Sequence, residues 1–368
     1  MKDVSKTFIS KDKTIEEAMQ VIQESGVSIT LVVDENRQLI GTITDGDVRR
    51  TLLKKIPLGS SLREILANRP PNYPQSTVAL EGTTPSTLLD IMEQKGIRHI
   101  PLVDKEGRVV DLALLRELVE EKLPLHAVVM AGGKGERLHP LTKEMPKPML
   151  PLDDRPMLEH IIHQLQKSDI NDIYIATNYK AEIIQNHFDQ KDTLGVSVNC
   201  ISENRPLGTA GALSLMDPVP NKPTVVINGD ILTQLDFRAM YDFHRQHKAD
   251  MTVGVRIYDI EIPYGVIEVD DIFIKRIVEK PVQKNVVNAG VYILEPLVYQ
   301  YVKKDKHIDM TELVELLVRD NKNVVGFPIQ EYWLDVGDPT SYAQAQEDIK
   351  NGKFLTEKCQ IQPDKLTR

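Results

Sequence analysis

The first third of the chain is written twice. The stretch AMQVIQESGVSITLVVDENRQLIGTIT, beginning at Ala18, aligns without a gap on LLDIMEQKGIRHIPLVDKEGRVVDLAL, beginning at Leu88. At a constant offset of 70 residues, Gly26 falls on Gly96, Asp34 on Asp104 and Ile40 on Val110. Each copy reads as an amphipathic helix, a glycine stop, an apolar strand ending in Val-Asp, a polar turn, a second strand and a closing helix. A unit this small cannot bury both faces of its own sheet, so the two copies are expected to pack on each other.

Within the first copy, GTITDGDVRR (41–50) carries Thr44 and, three residues on, Asp47. A carboxylate can accept hydrogen bonds from both hydroxyls of a ribose, and a neighbouring hydroxyl can anchor phosphate. The repeat and this segment resemble a cystathionine-β-synthase (CBS) domain pair. The resemblance implies an adenine nucleotide (AMP, ADP or ATP) at Thr44 and Asp47. The second copy has Leu114 and Glu117 at the equivalent places, so its site is expected to be degenerate. The competing reading is that Thr44 and Asp47 cap a helix beginning near Gly46. The repeats are placed at 1–62 and 63–122, and Pro124 ends the second.

The remainder is long enough to bury a second core. From residue 125 strand and helix alternate: strands are expected at 125–130, 173–177, 196–201 and 224–228, with helices at 157–167 and 181–188 between them. That order predicts an α/β domain over 125–350, a Rossmann-like, mixed but mostly parallel sheet with helices on both faces, and a tail over 351–368. A formal net charge of −9, with Lys and Arg interspersed among acids, argues against a nucleic-acid partner. Cys200 and Cys359 are too few for a disulfide framework. No apolar run approaches a bilayer span and no signal-peptide core is evident, so a cytoplasmic protein without a membrane partner is expected.

The chemistry concentrates in VVMAGGKGERLHPLTKEMPKPMLPL, beginning at Val128. Ligands of such sheets sit at the carboxyl ends of strands, where this glycine turn begins. Missing side chains at Gly132, Gly133 and Gly135 let backbone N–H groups approach phosphate oxygens, with Arg137 following at once. A Walker loop needs Gly-Lys-Ser/Thr after four residues, and the Rossmann fingerprint needs a third glycine opening a helix; neither fits. The full string strongly resembles the signature of sugar-1-phosphate nucleotidyltransferases.

That resemblance implies a set of roles. Ala131, Gly132, Gly133 and Gly135 would line the nucleotide; Glu203, Gly208 and Thr209, in ENRPLGTAGAL, would close on the base. Arg137 would clamp the leaving phosphates, and Lys147 would sit against the α-phosphate. Asp230 (VVINGDIL) and Asp335 (WLDVGDP), 105 residues apart, would hold Mg2+. Tyr264, Gly265, Glu279, Lys280 and Asn288 would contact the sugar phosphate. PLGTAG is more like the guanylyl branch, favouring GTP. The CBS fusion resembles guanylyltransferases that use glucosamine 1-phosphate; mannose, heptose or other hexose 1-phosphates, and uridylyl or thymidylyl transfer, are the alternatives. A glycosyltransferase on a similar sheet and a non-catalytic nucleotide-sensing protein are the competing classes. CBS pairs associate face to face, so a homo-oligomer is expected. The pairs His160/His163 and His244/His247 lack a third ligand and are read as solvated or helix-surface residues rather than metal sites.

Overall fold

The structure, a computed structural model, describes residues 3–54, 56–67, 69, 76–118, 123–189 and 195–354. Part of the expected junction (119–122) and most of the expected tail, with Cys359, lie outside the described residues. The chain divides into two units, Met1–Lys122 and Leu123–Arg368. No helix among the described residues is long and apolar enough to cross a membrane.

The first unit holds two copies of one motif. Phe8–Ile9, Ile29–Val33 and Leu39–Thr44 form one three-stranded sheet; Ala79–Leu80, His99–Val103 and Val109–Leu114 form the other. In each, the outer pair is parallel and the inner pair antiparallel, with a bulge at Val32/Val33 or at Leu102/Val103. The repeated residues do the same work twice. Gly26 and Gly96 end their helices at φ +65° and +61°, where a side chain would be strained. Asp34 accepts the amides of Asn36 and Gln38, and Asp104 those of Glu106 and Arg108, which shapes both polar turns. The copies share a core: Val27, Ile29 and Leu31 pack with Val103, Val109 and Leu114. The Arg37 carbonyl also accepts the Val109 amide at 2.9 Å.

The second unit is built on a seven-stranded sheet. Its order is Ser197–Ser202, Asp172–Thr177, His126–Met130, Thr224–Asn228, Val282–Leu294, Met251–Glu261, Val324–Pro328. Four of the six ladders are parallel; the two that flank Val282–Leu294 are antiparallel. The central strands read as unbroken apolar runs because both faces are covered. Ala127, Val129, Val225 and Ile227 face the helices Met157–Lys167, Ala181–Asp189 and Phe237–Gln246, whereas Val128 and Val226 face Leu213, Leu313 and Leu317. Met251–Glu261 and Val282–Leu294 outrun the sheet. Beyond Pro328 they continue as a two-stranded ribbon that ends in the hairpin Val266–Asp270 with Phe273–Val278.

Candidate functional site

The glycine turn leaves the strand His126–Met130 between two parallel neighbours, Asp172–Thr177 and Thr224–Asn228. The Ala131 amide donates to Ala176 O (2.8 Å) and the Gly229 amide to Met130 O (2.8 Å), which fastens three strand ends together. A Cβ on Gly132 would lie 2.9 Å from Glu203 Oε1, and one on Gly135 2.9 Å from Lys147 Cβ. Gly135 also requires glycine for its backbone, at φ +65°, and its carbonyl accepts Thr142 Oγ1 at 2.8 Å. Around Gly133 nothing lies within 4 Å of that position, so this part of the turn faces open space.

Lys147 opens the short turn Lys147–Met149 after Pro146, and its side chain is buried. Its Nζ lies 2.6 Å from Asp230 Oδ2. Asp230 and Asp335 meet through the ribbon formed by Ile231–Thr233 and Trp333–Asp335, in which Ile231 opposes Asp335 and the Val336 amide donates to Asp230 O at 2.9 Å. Asp335 is exposed at one side, yet partial desolvation raises its carboxyl above the ordinary range and the charge of Asp230 adds to this; Lys147 and Arg137 pull the other way. A carbon on Gly337 would lie 3.4 Å from both Arg137 Nη2 and Asp335 Oδ1, so the guanidinium lies on the Asp335 side of the acidic pair. The residues fit a hard divalent cation: two carboxylates, forced together despite their repulsion, present only oxygen donors. Glu203 is nearly buried and its carboxyl is raised by desolvation; its Oε2 accepts the Leu207 amide at 2.9 Å.

The sugar-phosphate candidates form a second cluster on the ribbon. A Cβ on Gly265 would lie 3.1 Å from Glu279 Oε2, Lys280 follows at φ +42°, and Tyr264 is exposed. Asn288 sits at the root, bound to Tyr292 Oη (2.8 Å) and to the Gly290 amide (3.0 Å).

Gly208 and Thr209 are engaged within the protein. At φ +81°, a Cβ on Gly208 would stand 2.6 Å from Ile308 O. The Thr209 amide donates to Asp309 Oδ1 at 2.9 Å. Close approach of the Ile308 backbone is thus one reason for glycine here, separate from contact with a base. Gly208→Ala is expected to cost about 2–4 kcal/mol, read by urea denaturation, through left-handed strain and overpacking. Unchanged stability would show that the two segments separate freely.

Thr44 and Asp47 form a capping box on the helix Asp45–Leu53. Asp47 accepts the Thr44 amide (2.9 Å), Arg50 Nη2 (2.8 Å) and Arg69 Nη2 (3.2 Å). The capping reading therefore describes the geometry of this structure.

His160 and His244 are core residues, 5% and 0% exposed, rather than the solvated or helix-surface residues expected. His160 bonds Leu152 O, and His244 sits between Thr252 Oγ1 and Glu295 Oε1. Among the described residues, His307, Asp309 and Glu312 have metal-like spacing. Their closeness follows from the Asp309/Glu312 capping box of Met310–Arg319. Asn178 was not singled out in the sequence, yet it lies against Gly132 and donates to Glu203 O at 2.8 Å. Its place directly after the strand Asp172–Thr177 is the signal that could have found it.

Residues 126–352 match the nucleotidyl transferase family model, and residues 2–54 and 63–123 match the CBS domain model. The chain is 34% identical over 255 residues to a mannose-1-phosphate guanyltransferase of Candida albicans, covering 66% of this chain and 68% of that protein. A mannose-1-phosphate guanyltransferase of Kluyveromyces lactis is 36% identical over 228 residues, covering 59% of this chain and 63% of the relative. Among solved structures, a putative glucose-1-phosphate thymidylyltransferase from Bacillus anthracis superposes with a TM-score of 0.51 at 26% identity, covering 63% of this chain and 96% of that one. The chain belongs to the nucleotidyl transferase family, among the sugar-1-phosphate nucleotidyltransferases, and carries a pair of CBS domains ahead of that fold.

Proposed function

We propose that the chain transfers a guanylyl group from GTP to a hexose 1-phosphate, releasing pyrophosphate, under the influence of an adenine nucleotide at the CBS pair. The observation that carries the reading is the meeting of Lys147, Asp230, Asp335 and Arg137 beside the glycine turn. The acceptor is already an anion and attacks the α-phosphorus in line, so no protein nucleophile is needed; the protein has to hold two repelling anions in register. Backbone amides of the turn at Gly132, Gly133 and Gly135 receive the triphosphate, while that of Ala131 stays on Ala176 O. Arg137 holds the leaving phosphates with its planar fork, and Lys147 turns from Asp230 to the α-phosphate, where charge gathers. Lys280 fixes the acceptor phosphate and Glu279 accepts from sugar hydroxyls. Asp230 and Asp335 would hold Mg2+, which when bound supplies neutralising charge to the phosphate oxygens. The names of the relatives support mannose 1-phosphate at least as well as glucosamine 1-phosphate as the acceptor.

The test is pyrophosphate release across four nucleoside triphosphates and a panel of hexose 1-phosphates, each with and without AMP or ATP. Release that requires GTP and one sugar phosphate together is expected. Release with no acceptor, or none with any pair, contradicts the reading. Indifference to AMP and ATP removes the regulatory part alone.

Guanine preference gives a sharper expectation. A carboxylate at Glu203 can accept the N1–H and amino hydrogens of guanine together, as uracil and thymine cannot offer. Glu203→Gln replaces one acceptor by a donor. It should lower kcat/KM for GTP roughly 10- to 100-fold, the value of a charge-assisted hydrogen bond, and lower that for UTP far less. Equal losses for both bases would take Glu203 out of base selection.

A further inference from the structure

We propose that Tyr179 is a positioning residue that aims Lys147, by holding the arm of chain on which Lys147 is carried; the proposal rests on the transfer reaction proposed above. Tyr179 lies outside the glycine motif, just past the carboxyl end of the strand Asp172–Thr177. Its Oη lies 3.2 Å from Thr142 O and 3.0 Å from Lys143 O, so one hydroxyl donates to two successive carbonyls. Its own amide faces Gly132 O at 3.5 Å, a long contact at the start of the glycine turn. One residue therefore touches both the beginning of the turn and the arm that leaves it. Beside it, Lys180 Nζ lies 3.1 Å from Glu144 Oε2, a second tie to the arm but a weak one, because Glu144 is 95% exposed and water screens the pair.

Thr142 passes the constraint on. Its side chain is fully buried, and Oγ1 donates to Gly135 O at 2.8 Å. A Cβ on Gly135 would stand 3.0 Å from Thr142 Cγ2 and 2.9 Å from Lys147 Cβ, so both side chains pack on the same glycine. In a close-packed interior, a shift of the Thr142 backbone is felt by the stem of Lys147. Only Glu144, Met145 and Pro146 separate Lys143 from Lys147, and the fixed φ of Pro146 leaves few dihedrals to absorb motion on the way. The ammonium has to meet developing charge in a set geometry, and small misplacements of such a donor are costly. Tyrosine supplies what phenylalanine would not: a hydroxyl that stops this arm from drifting. Tyr179 is half-buried, so the carbonyls released by Tyr179→Phe can turn to water and the fold should survive.

The test is Tyr179→Phe in the full chain, alone and combined with Lys147→Ala. Pyrophosphate release is followed with GTP and either mannose 1-phosphate or glucosamine 1-phosphate, whichever serves the wild type. Alone, the substitution should lower kcat about 10-fold and leave KM for GTP and for the sugar phosphate within about twofold. Combined with Lys147→Ala it should cost nothing further, because the group it aims is gone. An unchanged kcat, an effect confined to KM, or the full loss repeated on top of Lys147→Ala overturns the proposal. Amide hydrogen exchange without substrates decides independently of turnover. Peptides covering 140–147 should exchange faster in Tyr179→Phe, and equal exchange means that the hydroxyl does not hold the arm, which overturns it too. A wild type that releases no pyrophosphate contradicts the transfer reaction instead, and the exchange result still judges the hold of Tyr179 on the arm.

Discussion

Lys147→Ala should lower turnover roughly 100- to 1,000-fold, the scale seen when one preorganised donor to a developing charge is removed. The ammonium is delivered by a buried stem: Gly135 has no side chain, and a Cβ there would press on Lys147 Cβ at 2.9 Å. Lysine is thus aimed by packing, and nothing else among the candidate cations shares its place on Asp230 at 2.6 Å. The variant also loses a counter-ion to two adjacent carboxylates. Asp230 is partly exposed, so water screens it, and the cost should be about 1–2 kcal/mol rather than that of a fully buried pair. A fall of a few degrees in melting temperature is expected with the fold intact. Lys147→Arg should not restore the rate, because the planar fork does not fit a site shaped for a compact ammonium. Pyrophosphate release measured beside thermal unfolding separates the two effects. Turnover near wild type would end the catalytic assignment of Lys147.

Local patterns in the chain carried well where one residue does one local job. Gly26 and Gly96 stop helices, Asp34 and Asp104 shape turns, and these jobs need only neighbours a few residues away. The buried strands were legible for the same reason, since an unbroken apolar run has one comfortable place in a two-faced sheet. Thr44 and Asp47 show the limit. An i, i+3 pair of hydroxyl and carboxylate is both a capping box and a ribose clamp, and spacing alone does not separate them. His160 and His244 mark another. The want of a third ligand led to a solvated or helix-surface reading, but long-range packing buries both, each satisfied by a partner elsewhere in the chain. The ribbon drew attention in the sequence only through the family resemblance of Tyr264, Gly265, Glu279 and Lys280. Its apolar face alternates as that of any half-buried strand does, so nothing in the pattern says that the covering layer is absent from the same unit.

Asp335→Asn is expected to act in opposite directions on stability and on catalysis. The Asp335 carboxyl is raised above its ordinary range by partial desolvation and by Asp230, an effect that water screens in part because the residue is exposed. A carboxyl raised in the native state holds its proton more tightly there than in the unfolded chain. It favours folding at acid pH and loses that contribution as the pH rises through the carboxyl range. At neutral pH without a divalent ion, the ionised pair therefore works against the fold, and asparagine removes one of its charges. In EDTA the variant should melt at or above the wild-type temperature. Addition of Mg2+ reverses the order. At about a hundred times its dissociation constant an ion stabilises the wild type by about 2.7 kcal/mol, and the variant, left with one carboxylate, should gain little of this. Turnover should fall roughly 1,000-fold, since several kcal/mol of charge stabilisation at the phosphorus go with the cation. The paired melting curves carry the decision, because a merely structural Asp335 would lose stability in EDTA and keep its response to Mg2+. That second pattern would separate the acidic pair from cation binding and leave the repulsion between Asp230 and Asp335 without a purpose in the chemistry.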